Sequence, residues 1–141
     1  MVAICASVGL TGVSGASSAP VSAPWHLDRL NQHLLPLDGI STHGMFTGAG
    51  IDIYIIDTGV RATHEQLAGR VLAGIDIPTQ NGDAPVNPPS SDCDGHGTHV
   101  AGLAAGSTVG VAPQARIISV RVLDCGGDGS IGDVVEALRW V

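Results

Sequence analysis

Lysine is absent from this chain. All six basic residues are arginines, spread along its length, and against 13 Asp and Glu they leave a formal net charge of −7. No basic cluster is present to neutralise a phosphate backbone, so nucleic acid is not expected as a partner. Also missing is any apolar run approaching the ~20 residues that cross a bilayer, so no membrane partner is expected. Charged residues make up only 13%, against 44% hydrophobic residues and 20 glycines. That balance excludes a disordered tail and suits a compact α/β protein. At 141 residues the chain is sized for one domain.

Residues 1–22 hold no basic residue and are mostly small and apolar, rich in Ala, Ser, Gly and Val. A secretory leader needs a basic n-region ahead of its apolar run. The segment therefore reads as the tail of such a leader or as a gene-model remnant, and the domain is placed at 23–141. Of the three cysteines, Cys5 lies in this segment and is expected to have no structural partner. Residues 78–91 carry Pro78, Pro85, Pro88 and Pro89 around Asn81-Gly82-Asp83, which marks an exposed loop.

Three stretches carry regular patterning. Ile51 to Ile56 is β-branched almost without break, as for a strand buried on both faces of a parallel sheet, and Asp57 stands where it ends. Ile117 to Leu123 reads as a second such strand. Between them, Val100 to Gly106 is a small-residue segment suited to a helix packed closely on a sheet. Strand, helix and strand imply parallel pairing through right-handed crossovers. At the end of the chain Ser130 and Asp133 form a capping pair. Ile131, Val134, Val135, Leu138 and Val141 then follow the spacing of a helix with one buried face. The sequence stops inside that pattern without an exit signal, so the domain is expected to be incomplete at its C-terminus. Near the other end, Leu27, Leu30, Leu34 and Leu35 have helical spacing up to Pro36.

The densest chemistry lies in Asp92-Cys93-Asp94-Gly95-His96-Gly97-Thr98-His99-Val100-Ala101-Gly102. It places an imidazole at the start of the small-residue helix, between two glycines that keep bulk away from it. D-G-H-G-T-H-V-A-G resembles the histidine motif of the subtilisin-like serine proteases. Tyr54-Ile55-Ile56-Asp57-Thr58-Gly59-Val60 is similar to their aspartate motif, and Gly110-Val111-Ala112-Pro113 with Val120-Arg121-Val122-Leu123 resembles a later family segment. Thr63-His64 through Gly69-Arg70 fits the family more loosely, and His64 is taken as structural or solvent-facing. The resemblance covers about residues 23–141 and implies a three-layer α/β parallel-sheet fold.

It also implies a mechanism. His96 acts as the general base toward a serine hydroxyl, and Asp57 orients and stabilises the imidazole. The family's nucleophile motif, G-T-S-M-A-x-P, and its oxyanion asparagine are not in the sequence, and Ser107, Ser119 and Ser130 lack that context. The implied activity is serine-type endopeptidase action on polypeptides when complete. The 141 residues are expected to be inactive alone, and the C-terminal half of the domain is the implied partner. The exposed edge Gly127-Asp128-Gly129 is implied to pair with substrate backbone as an added strand.

Pro24-Trp25-His26-Leu27-Asp28-Arg29 resembles the opening of the mature domain in the branch similar to proteinase K. That branch implies an extracellular setting and a disulfide between Cys93 and Cys125. No cofactor is required, but some members hold a structural calcium ion in this region. The corresponding positions are Asp28, Asn31, Gln32 and Asp38. One of these ligands is an amide in place of a carboxylate, and Ile40 offers no side-chain oxygen, so a weak or lost calcium site is expected.

Three other readings remain open. Cys93, His96, His99 and Cys125 supply zinc-type donors, against which His99 reads as a buried structural histidine. Gly127-x-Gly129-x-x-Gly132, after a strand and before a helix, is a literal dinucleotide fingerprint, with Asp128 set against a pyrophosphate. A non-catalytic decoy or interaction module would keep the cleft without the nucleophile.

Overall fold

The computed structural model describes residues 22–41, 46–77 and 91–141. The leader segment up to residue 21, with Cys5, and the proline-marked stretch up to residue 90 lie outside the described residues. The order of elements is α1 (Trp25–Asn31), β1 (Asp52–Asp57), β2 (Val71–Asp76), α2 (His96–Ala105), β3 (Arg116–Arg121) and α3 (Ile131–Trp140).

The strands form one parallel sheet in the order β1-β3-β2. β3 is the central strand: it aligns Ile117 with Ile53 and Val71, and Val120 with Ile56 and Ile75. Alternation along the strands separates two cores. On one face Ile55 and Ile117 pack with Ala101 and Ala105 of α2, and with Val60, Leu67 and Ala115. On the other, Val120, Val122 and Ile77 pack with Ala137 of α3, joined by Ile56 and Ile75. Tyr54 meets Trp140 edge to face, with ring centroids 6.2 Å apart. Helix, sheet and helix make the three layers expected.

Small residues let α2 sit low on the sheet, where its buried residues are Gly97, Thr98, Ala101 and Ala105 and include no large side chain. α3 is closed at its start by a reciprocal capping box, Asp133 N donating to Ser130 Oγ and Ser130 N to the Asp133 carboxylate. Its apolar stripe is largely uncovered among the described residues: Ile131 is 85% and Leu138 62% exposed, while Ala137 is the buried contact.

Two expectations are corrected. α1 ends at Asn31, and of its leucine pattern only Leu27 is buried; Leu30, Leu34 and Leu35 are exposed. The turn after the helix holds its own polar contacts, with Arg29 Nη1 donating to the carbonyls of Gln32 and His33, so the apolar spacing there does not mark a packed face. β2 was not expected at all. Gly74 and Asp76 dilute its apolar pattern, yet Gly74 is required there, because a Cβ would overlap the Ser119 carbonyl of β3.

Candidate active site

Asp57 is the last residue of β1, at the end of the sheet where parallel strands leave a crevice. Its carbonyl receives the backbone N–H groups of Val122 and Leu123, so the turn after β3 is tied to the same point. Its carboxylate is buried and accepts the Thr58 N–H at 2.7 Å. His96 is the first residue of α2, and its Nδ1 lies 2.8 Å from Asp57 Oδ1 and 3.0 Å from Oδ2. A strand end and a helix start thus present the two side chains to each other.

The flanking glycines have different causes. Gly95, the residue before the helix, has φ of +111°, a backbone state that side chains disfavour. Gly97 is buried against β1, and a Cβ there would overlap the Gly59 carbonyl and sit 3.1 Å from Asp57 Oδ1. The expectation that both glycines keep bulk away from the imidazole is therefore revised: Gly97 clears space for the strand end.

The His96 pKa is raised. The hydrogen bond to Asp57 is the largest cause and the Asp57 charge the next. Asp94 and Asp92 add to it, and desolvation opposes. With Nδ1 turned to a carboxylate, Nδ1 carries the proton in the neutral ring and Nε2 is left as the basic nitrogen. The His96 side chain is 60% exposed, so that nitrogen is reachable from solvent. The arrangement can take up a proton at Nε2 and hold the resulting imidazolium against Asp57.

The three serines are engaged elsewhere. Ser107 Oγ donates to Gln66, Ser119 is fully buried in β3, and Ser130 caps α3. Cys93 and Cys125 form a disulfide, with Cα atoms 5.2 Å apart, joining the loop before α2 to the turn after β3. That bond takes both thiolates away from any zinc ion, and the zinc reading falls. His99 is also placed differently from expectation. It is exposed and lines a cavity of about 500 Å³ together with His26, His64, Arg61 and Leu103.

Residues 124–128 form a turn and not a strand. Asp124 Oδ1 accepts the N–H groups of Gly126 and Asp128, Asp124 N donates to the Asp128 carbonyl, and Gly127 has φ of +83°. Gly127, Asp128 and Gly129 are all exposed beside the disulfide. The dinucleotide reading does not survive this geometry, because the Asp133 carboxylate already occupies the start of α3, where a pyrophosphate would bind.

The calcium candidates lie apart, on α1 and the loop after it. Asp28 is buried; Oδ2 accepts the Gly39 N–H at 2.7 Å, while Oδ1 has no donor. The Asn31 amide faces the carbonyls of Asp28 and Ile40. In one orientation its oxygen opposes them, and in the other its nitrogen donates to them at 2.6 and 3.2 Å. Turning the amide satisfies Asn31 but leaves the buried Asp28 oxygen alone. A cation among these oxygens would satisfy both, so the residues fit a hard, oxygen-seeking ion. Ile40, discounted for its side chain, presents its main-chain carbonyl to the Asn31 amide. Gln32 and Asp38 brace the loop, Gln32 Oε1 accepting the Asp38 N–H and Asp38 Oδ1 the Ile40 N–H.

Sequence reasoning missed Thr58 and Asp92, which lie buried beside the pair. The family profile described as the subtilase family matches residues 48–141. The extracellular serine proteinase of a Thermus species is 47% identical over 119 residues, covering 84% of this chain and 27% of that protein. Alkaline serine exoprotease A of Vibrio alginolyticus is 41% identical over 134 residues, 95% of this chain and 24% of its own length. Among solved structures, a cold-adapted subtilisin-like serine proteinase superposes with a TM-score of 0.75 at 46% identity, over 85% of this chain and 41% of that one. The chain thus spans about a quarter of the length of these two curated relatives. With the motif residues brought together at the end of a parallel sheet, these matches show that the chain belongs to the subtilase family of serine peptidases.

Proposed function

We propose that this chain supplies the orienting carboxylate and the general base of a secreted serine endopeptidase acting on polypeptides. The observation that carries the reading is the contact of His96 Nδ1 with both oxygens of Asp57, which leaves Nε2 basic and exposed. In acyl transfer, Nε2 takes the proton of a serine hydroxyl as its oxygen bonds to the scissile carbonyl carbon. The same proton passes to the leaving amine when the peptide bond breaks, while Asp57 holds the ring and offsets its charge. The exposed turn at Gly127, Asp128 and Gly129 is the proposed place for substrate backbone. A calcium ion at Asp28 and Asn31 is a proposed structural aid without a catalytic part.

No serine of the 141 residues stands in the family's nucleophile motif, so the chain by itself is expected to show no peptidase activity. The test joins it to the remaining part of the cold-adapted relative and assays fluorogenic peptides. Turnover is expected in the chimera and not in the chain alone, and Asp57→Asn should lower kcat by about 10⁴-fold. Peptidase activity of the chain alone that disappears in His96→Ala would overturn the absence of a nucleophile. A chimera whose turnover is unaffected by Asp57→Asn would overturn the assigned roles.

A further inference from the structure

We propose that Asp92 is a positioning residue for the Asp57–His96 pair, clamping the start of α2 to the end of β1 through Thr58. The inference rests on reading Asp57 and His96 as orienter and base. Asp92 lies in the loop before α2 and is 7% exposed. Its Oδ1 accepts from Thr58 Oγ at 2.9 Å, from Gly95 N at 2.8 Å and from Asp94 N at 3.2 Å. Its Oδ2 accepts from both the N–H and the hydroxyl of Thr98. Thr58, fully buried, closes the circuit: its Oγ accepts the Gly97 N–H at 2.9 Å, and its own N–H donates to Asp57 Oδ1.

The consequence is specific to His96. The residues on either side of it have their N–H groups held, Gly95 by Asp92 and Gly97 by Thr58, and Thr58 also holds the carboxylate that His96 must meet. A helix normally satisfies its first free N–H groups through the side chain of the residue before it, and here that residue is Gly95, which has none. The His96 N–H is held by Asp94 Oδ1, and Thr58 and Asp92 supply the acceptors for the next two, Gly97 and Thr98, from outside the helix, so capping the helix and aligning the pair share one set of contacts.

The charge of Asp92 acts as well. The charged groups that face His96 are Asp57 from β1 and Asp94 and Asp92 from the loop, and all three favour the imidazolium. Burial alone would raise the Asp92 carboxyl itself. The hydrogen bonds from Thr98, Gly95 and Thr58 outweigh it and hold the group below its ordinary range, so it is an anion wherever His96 titrates.

The test is an NMR titration of the chain with isotope-labelled histidine, comparing wild type with Asp92→Asn, Thr58→Val, Thr58→Ser and Asp57→Asn. Unchanged amide shifts in β3 identify the variants that remain folded. In Asp92→Asn and Thr58→Val the hydrogen-bonded Nδ1–H signal of His96 should be lost and its titration midpoint should fall. Thr58→Ser, which keeps the hydroxyl, should restore both. Folded Asp92→Asn or Thr58→Val with the wild-type midpoint and signal would overturn the inference and leave Asp92 a simple helix cap. If Asp92→Asn does not fold, the Val and Ser variants at Thr58 decide. A midpoint insensitive to Asp57→Asn would instead sink the orienter reading itself, so the two failures are distinguishable.

Discussion

Gly97 of α2 lies so close to Gly59 that a Cβ on Gly97 would overlap the Gly59 carbonyl oxygen. That closeness brings His96 within hydrogen-bonding distance of Asp57. Gly97→Ala is therefore expected to push the helix start off the strand end, destabilising by about 1–3 kcal/mol and weakening the contact between the pair. Gly102, in the same helix, has nothing within 4 Å of an added Cβ, and there alanine should stabilise by roughly 0.5–1 kcal/mol. Urea midpoints of the two variants check the pair of opposite signs. A neutral Gly97→Ala would show that the helix can retreat without cost.

The contrast between these glycines shows what sequence can carry. β1, β3, α2 and α3 were legible because each has a dense local pattern: an unbroken β-branched run, a string of small residues, or a helical stripe with a capping pair. Asp57 and His96 were legible because their neighbours form a family motif. β2 was not, since Gly74 looks like a strand breaker until the Ser119 carbonyl is seen beside it. Asp92 was missed for a related reason. Three of its five donors are backbone N–H groups, which every residue has and only the fold brings together. His99 was misplaced because helical spacing alone does not say which flank of α2 the sheet covers.

The pH dependence of His96 follows from the direction of its shift. A raised pKa means that the imidazolium persists to higher pH than in an ordinary histidine. Its stabilising contribution is complete below the unfolded value, near 6.5, and fades as pH rises through the folded one. The neutral, base-competent ring appears on the alkaline side. Acylation by diethylpyrocarbonate, which needs the neutral ring, should reach half its maximal rate at His96 above the pH found in the unfolded chain. In Asp57→Asn that pH should move down. Equal values in folded and unfolded chain would contradict the hydrogen bond as the dominant cause.

Cys93 and Cys125, separated by 32 residues, tie the loop that carries Asp92 and Asp94 to the turn that carries Asp128. In the chain-entropy account, a loop of this length contributes roughly 3–4 kcal/mol by restricting the unfolded chain. The double variant Cys93→Ser/Cys125→Ser is expected to lower the denaturant midpoint accordingly, and reduction of the wild type should do the same. Mass mapping of unreduced peptides should recover the linked pair. Two free thiols in oxidised material would remove the bond and the stabilisation with it.

The loop after α1 offers a different kind of test, because two arrangements leave distinct residues satisfied. If the Asn31 amide alone closes the loop, its nitrogen donates to the carbonyls of Asp28 and Ile40, and the buried Asp28 Oδ1 keeps its cost. If a calcium ion sits there, that oxygen becomes a ligand and the native state gains binding free energy. At a free calcium concentration 100 times the dissociation constant, the gain is about 2.7 kcal/mol. Calcium should then raise the thermal midpoint relative to chelator, terbium should luminesce on binding, and Asp28→Asn should abolish both responses. Asp38→Asn should weaken them less, since Asp38 acts by holding the Ile40 N–H that shapes the loop. Identical melting with calcium and with chelator would show the amide to be the closure, and Asp28→Asn should then be close to neutral, because the amide oxygen can still accept the Gly39 N–H.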